Sequence, residues 1–184
     1  MERKSYGPRH AMPVQPLFIV GTKNEDGTPN FAPITWVSKT CRGGEENLIV
    51  ISMYGTKKTK QNAHRTGYLT LNLVSTDMLT LTDYLGKAKG KDGVKNALPY
   101  EIGQALCVDA PTLDDARWVC ECEVEQHVTI GQSDTFFCRI RNIQIDAEID
   151  VSAGWIDLTQ FDPVIYSGNY HSIGDFLGKI GEFY

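Results

Sequence analysis

No stretch of this 184-residue chain approaches the roughly 18 consecutive apolar residues of a membrane span, and its opening MERKSYGPRH lacks a signal peptide's apolar centre. A cytoplasmic protein is the expectation, with no membrane partner. Positive charge is also in deficit, 18 Lys and Arg against 23 Asp and Glu for a net charge of −5. General attraction to nucleic acid is excluded on that balance, while local basic clusters remain able to hold small anions. Five cysteines form an odd set without disulfide-framework spacing, so reduced thiols are expected. Cys120-x-Cys122 is neither the Cys-x-x-Cys of redox sites nor half of a zinc ribbon, and no second ligand pair accompanies it, so no metal is expected. Nucleophile elbow, Walker loop and strand-borne G-x-G-x-x-G are all missing, which removes the usual support for hydrolase, P-loop and Rossmann readings. Paired catalytic carboxylates cannot be identified, and there is no internal repeat or low-complexity tract.

What is present is ordinary soluble composition, 41% hydrophobic and 22% charged, in a length that suits one domain or one with an appendage. Gln15 to Lys23 is β-rich and ends at Asn24-Glu25-Asp26-Gly27, whose Asp-Gly pair signals a hairpin into a strand over Phe31 to Ser38. Leu48 to Ile51 is apolar at four successive positions, the pattern of a strand buried on both faces and central in its sheet. Gly55 to Thr66 shows no strand alternation, and Gly67 is placed to end a helix before a strand over Tyr68 to Ser75. There Leu69, Leu71 and Leu73 share one face, with Thr70 and Asn72 on the other. Thr76 to Leu85 reads as a short helix, and the Gly- and Lys-rich 86–98 as a surface loop.

The second half is β again. Trp118, Cys120, Cys122 and Val124 alternate with Val119, Glu121, Glu123 and Glu125, which predicts a core face and a solvent face. Phe136, Cys138 and Ile140 continue the alternation until its phase shifts at Asn142, as a β-bulge requires. A curved, barrel-like sheet with short helices follows. Pro163 to Tyr166 reads as a short strand and Ser172 to Lys179 as a short helix.

Lys57 and Lys58 stand where the first helix begins, and positive charge there opposes the helix macrodipole unless an anion is also bound. Thr56, Thr59 and Asn62 add hydroxyls and an amide, the donor types that phosphate recognition uses; the alternative is an exposed basic helix. Among the histidines, His10 and His64 lie in polar, solvated contexts and His127 near a strand end. His171 follows Tyr170 before the last helix, where the pair either closes over a ligand or makes a helix N-terminal contact.

In order and spacing, four segments resemble the flavin reductase-like, FMN-binding split-barrel family, including the flavoredoxins. They are DGTPNFAPITWVS, KKTKQNAHRTGYLTLNLVS, APTLDDARWVCECEVEQ and PVIYSGNYHSIGDFLG, and the match runs nearly end to end as a single domain over 1–184. The resemblance implies a mainly β split barrel, a homodimer, and FMN bound near the dimer interface. It places Thr35, Trp36, Val37 and Ser38 along the isoalloxazine and ribityl side, with Ser52, Met53 and Tyr54 flanking the cofactor. Lys58, Thr59 and Asn62 would meet the FMN phosphate, agreeing with the helix-start argument. Asn72, Val74 and Ser75 would border the ring or ribityl chain, and Tyr170 would approach from the C-terminal segment.

The implied activity is that of an FMN-dependent oxidoreductase, taking electrons from NAD(P)H or another donor and passing them to flavin, a metal chelate or a protein acceptor. Two alternatives stand beside it, an electron carrier of the flavoredoxin kind and a flavin-binding module without turnover. Many reductase members carry Gly-Asp-His before the late strand, whereas this chain has Gly131-Gln132-Ser133-Asp134, which bears on NAD(P)H use. Thr40 to Gly44 also replaces the usual proline-containing turn.

Overall fold

The structure, a computed structural model, describes residues 2–5, 7–8, 12, 14–44, 46–87, 100–152 and 157–182. In chain order the strands are β1 (Gln15–Pro16), β2 (Phe18–Lys23), β3 (Pro29–Ile34), β4 (Val37–Gly43), β5 (Glu46–Tyr54), β6 (Tyr68–Leu73), β7 (Ile102–Gln104), β8 (Pro111–Leu113), β9 (Trp118–Ile130), β10 (Ser133–Ile145), β11 (Val164–Tyr166) and β12 (Tyr170–Ser172). Helix α1 (Lys58–Thr66) joins β5 to β6, and a 3₁₀ turn (Thr76–Met78) leads into α2 (Leu79–Lys87). No described helix is long and apolar enough to cross a membrane.

Seven strands form one antiparallel sheet in the order β3-β2-β6-β9-β10-β5-β4. Its two edges, β3 and β4, are consecutive in the chain and separated by Thr35 and Trp36 alone. Laid flat, seven strands would set those edges about 29 Å apart. Three Cα steps reach about 11 Å at most. The sheet therefore has to curl until its edges nearly meet, and that closure is the split barrel. The expected single strand over Phe31 to Ser38 is thus two strands on opposite edges, broken where the chain crosses the seam. Leu48 to Ile51 lies in β5, beside the edge strand and not central as its apolar run suggests. Curling of the sheet buries Ile49 and Ile51 in the barrel interior without a central position.

That interior is filled from alternate positions of facing strands, among them Val20, Ile51, Leu69, Leu71, Cys122 and Phe136. Cys120 and Cys122 face the same way, their sulfurs 3.7 Å apart in the core. A second cluster, including Leu17, Ile19, Phe31, Leu81 and Leu85, packs α2 against the outside of the barrel. Along the β9–β10 ladder the register shifts between Ile140 and Asn142, where the sequence places a bulge, and again between Phe137 and Cys138. The turn joining these strands has Gly131 at φ 59°, the left-handed region that a two-residue hairpin turn needs at its first position.

Three further expectations change. Glu121 is fully buried, not on a solvent face, because the loop after β7 covers that side of β9. Its carboxylate accepts from Asn142 Nδ2 at 2.7 Å, Gln144 Nε2 at 2.9 Å and the Cys107 amide at 2.6 Å. Burial pushes this carboxyl up, but the combined hydrogen bonds outweigh it and hold the group below its ordinary value. Ser172 to Lys179 is not a helix: Ser172 pairs with Val164 at the end of β12, and Gly174 and Gly178 weaken any helical run beyond it. Of the predicted loop over 86–98, Gly86 and Lys87 close α2, and the remainder lies outside the described residues.

Candidate functional site

An open cleft of about 240 Å³ lies on the seam, lined by Pro33, Ile34, Thr35, Trp36, Ser52, Tyr54 and Lys57. The end of β3, the crossing residues, the end of β5 and the start of α1 all meet there. A short turn in which the Val37 amide donates to the Thr35 carbonyl, 2.9 Å, bends the chain at the crossing. The Ser52 amide donates to the Trp36 carbonyl, also 2.9 Å, and fixes the crossing to β5. Trp36 and Tyr54 remain 46% and 54% exposed, two large rings turned to solvent at one opening. Ser52 Oγ adds a hydroxyl, 2.7 Å from Thr135 Oγ1.

At the other end of the cleft stands the start of α1. Gly55 turns the chain at φ 73°, and Lys57 at the N-cap is extended, with no side-chain cap and no acidic residue in the first turn. The first-turn amides, which a capping side chain or an anion normally satisfies, thus have no cap from the Lys57 side chain. His64 and Arg65 occupy the last turn, where positive charge suits the dipole. Gly67 closes the helix in the left-handed conformation, its amide 3.0 Å from the Ala63 carbonyl.

The predicted residues divide around this geometry. Thr35, Trp36, Ser52 and Tyr54 line the cleft, and Lys58 opens α1 beside it. Val37 and Ser38 head β4, Val37 half-buried against the barrel core and Ser38 exposed. Met53 points the other way, fully buried inside the barrel. Thr59 and Asn62 also turn inward. Asn62 Nδ2 donates to Thr22 Oγ1 at 3.2 Å and Asn24 Oδ1 at 2.9 Å, while Thr59 Oγ1 accepts from Asn30 Nδ2 at 2.9 Å. These two side chains tie α1 to the β2–β3 hairpin.

Asn72 is likewise consumed by the fold: its amide donates to the Ile19 carbonyl at 2.9 Å and its oxygen accepts from the Leu113 amide at 2.9 Å. Val74 is a core residue. Ser75 donates to Asp77, and Tyr170, on the three-stranded sheet β1-β11-β12, donates to Asp83 on α2 at 3.2 Å. Neither is among the cleft-lining residues.

Sequence reasoning missed Pro33 and Ile34, whose place in the cleft follows only from the meeting of the two edges. It also missed a charged cluster beside α1. Asp134 on β10, nearly buried, accepts from His64 Nε2 at 2.8 Å and Thr129 Oγ1 at 2.7 Å, and pairs with Lys60 Nζ at 3.3 Å. The bonds from His64 and Thr129, with Lys60 beside them, hold its carboxyl far below the usual range. His64 therefore does more than face solvent, and its ring also stacks edge-on to His127 and against Phe136. His171 sits on β12, 3.0 Å from Ser167 Oγ. Among the described residues no group of three or more His, Cys, Asp or Glu side chains is arranged to hold a metal. Burial pushes the Cys138 thiol up to about 12, so it is packing material and not a nucleophile.

An antiparallel sheet curled to a seam, with aromatic rings at one end of a cleft and an uncapped basic helix start at the other, is a split barrel. The chain belongs to the flavin reductase like domain family, whose model matches residues 11–174. The solved flavoredoxin of Desulfovibrio vulgaris (Miyazaki F) is 25% identical and superposes with a TM-score of 0.90 over 99% of both chains. A flavoredoxin from Methanosarcina acetivorans, 18% identical, shares the fold at a TM-score of 0.88, covering 100% of this chain and 97% of its own. The FMN reductase (NADH) RutF of Acinetobacter baylyi is 30% identical over 76 residues, 41% of this chain and 39% of that protein. The match thus spans about two fifths of that curated relative.

Proposed function

We propose that the seam cleft binds FMN and that the protein is an FMN-dependent oxidoreductase, transferring electrons to a flavin, a metal chelate or a protein acceptor. The observation that carries this reading is the pairing, in one cleft, of exposed Trp36 and Tyr54 with an uncapped helix start flanked by Lys57 and Lys58. Aromatic rings and the Ser52 hydroxyl suit a planar, polar-edged ring system. First-turn amides and two ammonium groups suit a terminal phosphate. Bound FMN would supply the redox chemistry; the chain supplies orientation, hydrogen bonds and the anion anchor. The side chains of Thr59 and Asn62 serve this site by seating α1, not by touching the phosphate.

Replacing Lys57 and Lys58 together with alanine is expected to weaken FMN binding about tenfold or more, since each charge-assisted contact to phosphate contributes about 1.5–3 kcal/mol. A fluorescence titration showing undiminished affinity would refute the placement. Anaerobic mixing with NADH and NADPH, followed by flavin absorbance, then tests the donor.

A second reading, an electron carrier without its own pyridine-nucleotide site, is favoured by the β9–β10 turn, where Gly131-Gln132-Ser133-Asp134 carries no histidine. Bleaching by a reduced protein partner but not by NADH or NADPH selects it. We further propose that the chain is one FMN-binding domain and a homodimer. The extended segment after β12 leaves Phe176, Leu177 and Ile180 exposed, an apolar surface that association would cover. Sedimentation equilibrium returning only monomer across micromolar concentrations would overturn the dimer.

A further inference from the structure

Helix α1 is seated on two sides. Its inner side is tied to the β2–β3 hairpin through Thr59 and Asn62. Its outer side is held by one carboxylate, Asp134, which reaches Lys60 and His64, residues one turn apart on the same helix stripe. The Lys60–Asp134 pair is shielded, the two side chains being 15% and 9% exposed.

Lys60 also donates to the Gln132 carbonyl at 3.1 Å, and that same carbonyl accepts from the Gly55 amide at 3.0 Å. Gly55 is two residues before the N-cap of α1, and its neighbour Tyr54 pairs with Ser133 across the sheet. A continuous set of contacts thus runs from Asp134 through Lys60 and Gln132 to the turn that presents the helix start. Contacts on both sides of α1 restrain the helix and the turn that leads into it.

We propose that Asp134 is a positioning residue for the anion end of the cleft: through Lys60 and the Gln132 carbonyl it holds the β5–α1 turn so that the helix start receives a phosphate. This role rests on the FMN reading of the cleft. It touches no ligand, so its signature is selectivity between flavins that carry a phosphate and those that do not.

The test compares FMN with riboflavin, which has the same ring and ribityl chain but no phosphate, by fluorescence titration of wild type and Asp134→Asn. The expected result is a loss of FMN affinity of about tenfold in the variant with riboflavin affinity unchanged, a coupling of ordinary size between a remote contact and a binding site. Equal losses for both flavins, or no loss for either, overturn the positioning role while leaving the cleft reading in place. A wild type that binds neither flavin overturns both. If Asp134→Asn does not fold, Lys60→Met carries the same test, because it breaks the connection to Gln132 and leaves the Thr129 and His64 bonds to Asp134 intact.

Discussion

Single residues in this protein carry polar work that composition hides. Glu121 reads in sequence as one rung of an exposed acidic ladder, yet it is the buried acceptor that binds the loop after β7 to the barrel. Alternation along β9 reports which face a side chain takes, but not that a distant loop covers the outer face. Its carboxyl is held below its ordinary value of 4.5, so its contribution to stability is present above that pH and is lost as pH falls through the lower folded value. Glu121→Gln is accordingly expected to cost about 1–3 kcal/mol at neutral pH, the penalty of under-satisfied buried partners. It should also flatten the acid limb of the stability curve, which urea melts at several pH values will show. Asp134 obeys the same sign, since its folded value lies below 3.8. Asn72 teaches a similar lesson, for its polar face was visible in the strand pattern while the Leu113 and Ile19 groups that consume it come from other parts of the chain.

Helix α1 is the element whose reading from sequence came nearest to its structure. Its start at Lys57 and Lys58 and its end at Gly67 are local signals, and local signals survive folding. Gly67→Ala is expected to destabilise the protein by about 1 kcal/mol, because alanine resists the left-handed conformation that Gly67 adopts. What the local pattern could not reveal is which face of α1 turns inward, and so Thr59 and Asn62 pointed toward phosphate in sequence and toward Thr22, Asn24 and Asn30 in the fold. Strand β2 carries a comparable hidden constraint. A Cβ at Gly21 would lie 2.3 Å from the Pro111 carbonyl and 2.4 Å from Thr70 Oγ1. Gly21→Ala should therefore lower stability by about 1–3 kcal/mol through overpacking, measured by thermal or urea unfolding. The C-terminal segment misled for a different reason: a helix over Ser172 to Lys179 is opposed by Gly174 and Gly178 and by the pairing of Ser172 with β11.

At the scale of the whole molecule, alternation and the bulge signal at Asn142 made a curved sheet legible, and they did not disclose how it closes. Closure depends on which strands take the edges, a choice made by long-range pairing. That is why Pro33 and Ile34 escaped notice although Trp36 and Tyr54 did not. The two-residue crossing at Thr35 and Trp36 has a thermodynamic consequence. A ligand seated there touches both edges of one sheet, so it acts as a clasp, and the free energy of its binding is added to the free energy of opening the barrel. Saturation at about 100 times the dissociation constant contributes about 2.7 kcal/mol by this linkage. Amide exchange along β3 and β4 is expected to slow together on addition of FMN, though the two strands share no hydrogen bond. A ligand held there would stiffen the barrel, and each parting of the seam would loosen the hold on the ligand.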